Sequence, residues 1–314
     1  MTSERSFTLR ALRDDDVPEY ADLLFSAFNA WWWKHGLCKD FYDCKPIDVS
    51  IFYKIYNDMS PGCSVAAFHK DTGRMMGACY YHPREYHVSL GIMSVHPNYG
   101  GQGVGRAMVD YILDYTKDNG YKACRLVSSA MNLDSFSLYN RSGFVPRLSY
   151  QDMMLDVPSG GMDVSVPGEH KVREARLEDV QSMADLEMEV SGVTRLVDYP
   201  YWIKNPRGVM HATVYENDHR GIEGFLNSVK CPAINILGPC VARSEEVAIA
   251  LIRRELERYR GIVTLFVIPT TKRKMVETFY EWKAFNVETH FKQVWGEFQE
   301  YRGVSLPSYL PETE

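Results

Sequence analysis

Residues 95–106 of this 314-residue chain read VHPNYGGQGVGR, and the fold prediction rests on them. The glycines of this stretch allow a sharp turn and a close approach to a ligand, because they carry no Cβ atom. A helix is predicted next, since apolar side chains recur at helical spacing from residue 104 to residue 113. A glycine turn that opens a helix points free N–H groups and the positive end of the helix dipole at one place. The stretch therefore predicts a binding site for an anion such as a pyrophosphate.

Two common phosphate-binding motifs are excluded by the residues of this turn. A nucleotide-triphosphate loop ends in Gly-Lys followed by Ser or Thr, whereas here Gly105 is followed by Arg106 and Ala107. A dinucleotide fingerprint spaces its glycines as G-x-G-x-x-G, whereas Gly101, Gly103 and Gly105 alternate with single residues. The anion is therefore expected to belong to another kind of ligand.

Two separated motifs resemble those of the GNAT superfamily of acyl-CoA-dependent N-acetyltransferases. The first is Val95-His96-Pro97 followed by Gly103-Val104-Gly105, and the second is residues 138–144, LYNRSGF. The chain departs from the family at Gly100, where Gln or Arg is usual, but the backbone part of the site is unaffected. The resemblance implies acetyl-CoA as a cosubstrate. It also implies an α/β fold in which a twisted, mostly antiparallel mixed sheet is flanked by helices.

The resemblance also implies roles for individual residues. Contacts to acetyl-CoA are expected from a strand end, the glycine turn and one asparagine: Met93, Ser94, Val95, Gly100, Gly101, Gln102, Gly103, Val104, Gly105, Arg106 and Asn132. Tyr139 matches the tyrosine that protonates the departing CoA sulfur, and packing beside Leu138 is its alternative role. For Asn132 the alternative is an ordinary loop asparagine.

The general base is left open between Glu85 and His87. These residues are two apart and share one face of an extended strand, although a bulge near the site would change which face each occupies. Either residue could instead be a solvated residue at a strand edge. No metal is predicted, because His69, His82, His87 and His96 have no metal-ligand spacing with carboxylates or cysteines.

The acceptor side of the site is expected to come from the first helices, residues 17–59. Aromatic side chains are dense there: Phe28, Trp31, Trp32, Trp33, Phe41, Tyr42, Phe52, Tyr53 and Tyr56. Three consecutive tryptophans point to different faces of a helix, so they cannot all lie in one core. The aromatic residues predict either a pocket for the acceptor or a surface that packs against the second half. Asp40 and Asp43 are candidates to hold an acceptor ammonium group, with solvation as the alternative.

The chain repeats itself, which predicts two copies of one α/β unit. Arg10, Arg13 and Asp16 recur as Arg173, Arg176 and Asp179 in a gapless match that continues into the following helix. A second match aligns residues 138–144 with residues 279–285, so that Leu138-Tyr139 corresponds to Phe279-Tyr280 and Gly143 to Ala284. The predicted organisation is a catalytic GNAT domain at 1–157, a Pro/Gly/Ser-rich linker at 158–169 and a degenerate GNAT-like domain at 170–314.

The second copy is predicted to have lost its cofactor site. After the strand at 234–241, the residues Ser244, Glu245 and Glu246 open the next helix, and no glycine remains at the turn. Ser244 is a candidate N-cap, and carboxylates in a first helical turn pair with the helix dipole. This helix terminus is therefore expected to repel a pyrophosphate.

Composition limits the classes of function. The net charge of −6 argues against a nucleic-acid surface. No membrane span is predicted, because the sequence contains no run of eighteen apolar residues. The chain lacks the apolar core of a secretory signal near Met1, and its seven cysteines form no C-x-x-C pair, which predicts a reducing cytoplasm. The expected partner is a small-molecule amine, and the expected assembly is a monomer or a homodimer.

Three hypotheses about function follow. The preferred one is an acetyl-CoA-dependent N-acetyltransferase that acts on a primary amine of a small molecule. A protein-lysine acetyltransferase is the second, and it would require an open, shallow acceptor groove. A CoA-binding sensor or scaffold without turnover is the third, and the motif around Tyr139 argues against it, because a sensor needs no acid for a leaving group.

Overall fold

Thirteen strands form one sheet in the part of the chain that the computed structural model describes, residues 5–35 and 41–309. The first half supplies β1 (Phe7–Arg10), α1 (Val17–Lys34), α2 (Ile51–Met59), β2 (Ser64–His69), β3 (Met75–Pro83), β4 (His87–Val95), α3 (Val104–Asp118), β5 (Ala123–Ser129), α4 (Leu133–Arg141) and β6 (Val145–Asp156). The second half supplies β7 (Val172–Glu174), α5 (Val180–Ser191), α6 (Asp198–Lys204), β8 (Met210–Glu216), β9 (Ile222–Cys231), β10 (Ile234–Ala242), α7 (Glu245–Leu256), β11 (Val263–Pro269), α8 (Arg273–Glu281), β12 (Phe285–Gly296) and β13 (Val304–Leu306).

The two halves exchange their long strands. The strand order is β1-β2-β3-β4-β5-β12-β6-β11-β10-β9-β8-β7, with β13 paired to β10. Strand β12 of the second half therefore lies between β5 and β6 of the first, and β6 in turn pairs with β11. Within the described residues the parallel pairs are β4 with β5 and β10 with β11, and the others are antiparallel. The predicted fold, two GNAT-like units with mostly antiparallel mixed sheets, is confirmed.

The sequence repeat at the start of each half has a structural cause. Asp16 pairs with Arg10 at 2.6 Å and accepts a hydrogen bond from the backbone N–H of Arg13 at 2.8 Å, just before α1. Asp179 makes the same two contacts with Arg173 and Arg176, both at 2.8 Å, just before α5. Each aspartate fixes the turn from an edge strand into a helix, so the same three residue types recur in both halves.

The second sequence match is wrong by one residue. Gly143 has φ +91° after α4, and the residue in the same left-handed conformation after α8 is Lys283, with φ +71°. The N–H of Phe144 donates to the carbonyl of Tyr139, and that of Ala284 donates to the carbonyl of Phe279. The position of Tyr139 is therefore occupied by Phe279 in the second half, and not by Tyr280. The sequence match failed because a lysine, rather than a glycine, takes the left-handed position.

The two halves share a hydrophobic core and a buried ion pair. Aromatic residues of α2 pack in the same cluster as Trp202 and Phe225 of the second half. The guanidinium of Arg84, which follows β3, lies 2.6 Å from Asp198 at the start of α6, and both side chains are almost fully buried. A buried charge is stable only when it is paired, so this contact ties the halves together. No helix in the described residues is long and apolar enough to span a membrane.

Candidate active site

A cavity lies where β4 and β5 separate. The two strands pair in parallel at His87, Val88 and Ser89, and no pairing follows these positions in the part of the chain that the structure describes. The remaining residues of β4 and the end of β5 border a cavity of about 290 Å³. Strand β4 also carries a bulge next to it, since Leu90 and Met93 lie opposite Tyr81 and Cys79 of β3 with one extra residue on β4. The cavity therefore borders a length of β4 that has no strand partner on that side.

Met93, Ser94 and Val95 line this cavity, as the predicted thioester site requires. Tyr139 on α4 lines it too and is 5% exposed, with its ring edge-on to Phe144 at 5.8 Å. Asn132 also borders the cavity and caps α4, because its Oδ1 accepts a hydrogen bond from the N–H of Ser135 at 3.1 Å. The structure thus brings five of the predicted site residues to one cavity.

The glycine turn leads directly into α3. Gly101 and Gly103 have φ values of +76° and +78°, which residues other than glycine rarely adopt, and a Cβ placed on either would meet no atom within 4 Å. Helix α3 begins after Gly103 with no side-chain cap from the described residues and no acidic residue in its first turn. Its first N–H groups therefore lack an intrahelical partner, and a helix N-terminus of this kind suits a pyrophosphate.

The other predicted residues of the turn have different surroundings. Val104 is buried in the core, and a Cβ on Gly105 would approach Leu138 Cδ2 to 3.2 Å, so these two residues support the packing of α3. Gly100 follows a short 3₁₀ helix, Pro97–Tyr99, that precedes the turn. Gln102 is exposed, and its Nε2 lies 3.4 Å from the carbonyl oxygen of Asn98. Arg106 pairs with Asp110 at 2.8 Å on the surface of α3.

Glu85 and His87 lie away from the cavity, at the other end of β4. Glu85 is exposed, and its Oε1 accepts a hydrogen bond from the backbone N–H of Leu196 at 3.3 Å. His87 is buried, and burial together with the charge of Arg125 holds its pKa well below the ordinary value. His87 and Met93 are six positions apart, which corresponds to a rise of about 20 Å along a strand. The geometry therefore does not support either residue as the general base.

The aromatic region of the first half forms a wall of the cavity. Its contribution consists of six rings: Phe28, Trp31, Trp32, Phe41, Tyr42 and Phe52. Trp33 is 58% exposed, while Trp32 is 6% exposed, so the consecutive tryptophans do point to different faces. Tyr53 and Tyr56 lie in the core that both halves share. Asp43 is exposed and does not border the cavity, and Asp40 lies outside the described residues.

Three titratable residues that the sequence analysis did not single out lie together at the cavity: Asp152, Glu288 and His290. His290 Nδ1 on β12 lies 2.8 Å from Asp152 Oδ1 on β6, and the Tyr309 hydroxyl donates to Asp152 Oδ2 at 3.0 Å. Glu288 on β12 accepts a hydrogen bond from the hydroxyl of Ser129 on β5. All of these residues line the cavity. In sequence the only signal is that Glu288 and His290 are two apart in a strand, which gives no hint of Asp152.

These three residues are the one group in the described residues whose donor atoms could surround a metal ion, since the atoms lie within 4.8 Å of one another. Each of them already has a hydrogen-bond partner in the protein. Burial lowers the pKa of His290, but the charges of Asp152 and Glu288 outweigh this and raise it above the ordinary value. Burial also raises the pKa of Glu288, against the opposing effect of His290. Both shifts are typical of groups arranged for proton transfer.

The corresponding region of the second half is closed. Strand β13 pairs with β10 at Cys240, Val241 and Ala242, on the part of β10 that matches the cavity end of β4. The hydroxyl of Ser244 caps α7 by accepting from the N–H of Val247 at 3.3 Å, as predicted. Glu246 pairs with Lys274 at 2.8 Å, which lowers the pKa of Glu246 to about 2. The N-terminus of α7 is therefore capped by a side chain of the protein itself, in contrast to the N-terminus of α3.

Comparison with known families agrees with this fold. The Acetyltransferase (GNAT) family matches residues 22–144, and the Acetyltransferase (GNAT) domain family matches residues 183–293. The two matches together span well over half of the chain, one in each half. The chain belongs to the GNAT family of acetyltransferases and carries two GNAT domains in tandem.

Solved structures share the fold over nearly the whole chain. A proposed acetyltransferase from Pyrococcus horikoshii superposes with a TM-score of 0.74 at 18% identity, over 97% of this chain and 96% of that one. A tandem GNAT protein from the clavulanic acid biosynthesis pathway gives a TM-score of 0.62 at 14% identity, over 92% and 98%. A curated relative, UPF0157 protein YqkA of Bacillus subtilis (strain 168), is 26% identical over 78 residues. That match covers 25% of this chain and 22% of the relative.

Proposed function

We propose that the chain transfers the acetyl group of acetyl-CoA to a primary amine of a small molecule, with Tyr139 as the general acid. The observation that carries this proposal is the single cavity that joins three parts of the molecule. These parts are the end of β4 that has no strand partner on the cavity side, the Tyr139 side chain and the aromatic wall of the first half. A donor site and an acceptor site must meet in one space for direct transfer.

The chain's own residues have complementary tasks in this reaction. The open N-terminus of α3 binds the pyrophosphate of CoA, and the backbone of Met93, Ser94 and Val95, on the side of β4 that does not pair with β3, orients the thioester and polarises its carbonyl. Bound acetyl-CoA supplies the reactive thioester. The neutral amine nitrogen forms a C–N bond with the acetyl carbon, the C–S bond breaks, and Tyr139 gives its hydroxyl proton to the thiolate. The nitrogen loses one proton to solvent as the amide forms, and Tyr139 regains its proton from solvent.

The size and lining of the cavity support a small molecule over a folded protein as the acceptor. The whole cavity has a volume of about 290 Å³ and is lined by aromatic rings and by side chains of β12, which suits a compact amine. The second half, residues 170–314, is proposed to bind no acetyl-CoA, because β13 covers the matching end of β10.

The test is release of free thiol from acetyl-CoA by the purified full-length protein with a panel of small primary amines and a lysine-containing peptide. The proposal expects thiol release with at least one small amine and formation of its N-acetyl product, identified by mass. Turnover of the peptide alone would favour a protein-lysine acetyltransferase. Acetyl-CoA binding with no turnover of any amine would favour a sensor.

A further inference from the structure

The exchanged strand β12 carries Glu288 and His290 from the second half into the cavity of the first. Strand β12 pairs with β5 at Ser129 and with β6 at Tyr150, both opposite His290. The second half therefore contributes side chains to the site even though its own cleft is closed. This gives the second half a part in the chemistry.

Asp152 determines which ring nitrogen of His290 can accept a proton. An ionised carboxylate only accepts hydrogen bonds, so the 2.8 Å contact places the proton of the neutral imidazole on Nδ1. The other ring nitrogen, Nε2, is then the one that can accept a proton. The Tyr309 hydroxyl, which donates to the other oxygen of Asp152, holds the carboxylate in place. A histidine oriented by a carboxylate in this way is a suitable general base.

The surroundings of these groups indicate the kind of acceptor. The same cavity is lined by aromatic rings from the first half and by the apolar side chains of Ile92, Ile234 and Leu265. Aromatic faces and apolar side chains bind an apolar body, and aromatic faces also attract a cation. The cavity therefore offers apolar surface together with carboxylates.

We propose that the acceptor is a primary amine with an apolar body, that Glu288 holds its ammonium group, and that His290, oriented by Asp152, removes the proton that frees the nitrogen lone pair. The proton passes from the ammonium group to His290 Nε2, and the neutral amine then attacks the acetyl carbon. His290 later loses this proton to solvent. Asp152 is a positioning residue, whereas Glu288 and His290 touch the substrate.

This inference rests on the proposed acetyl transfer, so its test separates the two. The probe is 2-phenylethylamine, and ethanolamine is the comparison amine without an apolar body. Transfer is followed by thiol release in wild type, His290→Gln and Glu288→Gln. Binding of acetyl-CoA is measured by calorimetry. Binding of the probe alone is followed by the fluorescence of Trp31 and Trp32, which line the cavity.

In His290→Gln, kcat is expected to fall by about 10²-fold, the usual contribution of a general base, with the Kd for acetyl-CoA unchanged. In Glu288→Gln, KM and the fluorescence Kd for the probe are expected to rise by about tenfold, through loss of a charged hydrogen bond. Ethanolamine is expected to have a higher KM than the probe. The matched control is His211→Gln, because His211 also contacts a carboxylate, Glu255, at 2.8 Å but lies away from the cavity. Its activity should equal that of wild type.

Three results would overturn the inference. One is an unchanged kcat in His290→Gln. Another is equal fluorescence titrations for wild type and Glu288→Gln, and this readout applies even if no amine is acetylated. The third is loss of activity on chelation with recovery on adding zinc, which would assign the cluster to a metal. Failure to bind acetyl-CoA would instead contradict the proposed function.

Discussion

His290 Nδ1 lies 2.8 Å from Asp152 Oδ1, and this contact joins a strand of the second half to a strand of the first inside the cavity. The two residues are 138 positions apart in the chain. They meet because β12 and β6 are neighbours in the sheet, which follows from the strand exchange. The proposed active site therefore depends on both halves, although the proposed acetyl-CoA site belongs to one.

Tyr139→Phe tests the general acid. The ring and its contact with Phe144 remain, and only the hydroxyl is removed, so kcat is expected to fall by about 10²-fold while the Kd for acetyl-CoA stays constant. Tyr280→Phe on α8 is the control, because Tyr280 is exposed and Phe279 occupies the position that matches Tyr139. Steady-state kinetics under conditions where chemistry limits the rate provide the measurement. Equal kcat values for the two variants would assign Tyr139 to packing.

Calorimetry is expected to find one acetyl-CoA site per chain. Gly103→Glu should abolish it, because the new carboxylate would stand at the N-terminus of α3 and repel phosphate. Gly120→Glu is a matched control, since Gly120 follows the other end of α3, also has a left-handed φ of +73° and also has no atom within 4 Å of a built Cβ. It shares the backbone strain and should leave binding intact. A stoichiometry of two would show that the cleft next to β13 also binds acetyl-CoA.

Asp152→Asn tests the orientation of His290 through pH. A general base must be unprotonated, so kcat/KM should rise with pH through the pKa of His290. The titratable groups that face His290 in the described residues include Asp152 and Tyr150 on β6, Glu288 on β12 and Tyr309 in the C-terminal segment. Because the charge of Asp152 raises the pKa of His290, its removal should move the rising limb to lower pH. A lower kcat with an unmoved limb would mean that Asp152 acts only in packing.

The buried pair Arg84–Asp198 is expected to contribute strongly to stability. Asp198→Ala leaves the guanidinium of Arg84 buried without its partner, and the free energy of unfolding should fall by about 3–5 kcal/mol. Glu277→Ala breaks the exposed pair with Arg273 and should leave the free energy of unfolding almost unchanged, because solvent screens an exposed pair. Urea denaturation of both variants gives the comparison. A loss below about 1 kcal/mol in Asp198→Ala would mean that the pair is dispensable.

The sequence predicts the parts of the fold that depend on local backbone chemistry. Gly101 and Gly103 mark the turn because their left-handed conformations favour glycine, and Asp16 and Asp179 mark the repeat because each fixes a helix start. The sequence carries no local signal of the strand exchange, because β6 and β12 are both twelve-residue strands that could pair with strands of either half. The sequence therefore does not reveal Asp152, Glu288 and His290 as a group, and it favours Glu85 and His87 because they are two apart on one face of the central strand segment.

A crystal structure of the full-length protein with a non-reactive thioether analogue of acetyl-CoA tests the central claim most directly. The account predicts one analogue per chain, with its pyrophosphate at the N-terminus of α3 and its sulfur within hydrogen-bonding distance of the Tyr139 hydroxyl. Its acyl group should face the side of the cavity that carries His290. An analogue bound between β10 and β11, or a sulfur remote from both Tyr139 and the exchanged strand, would contradict the account.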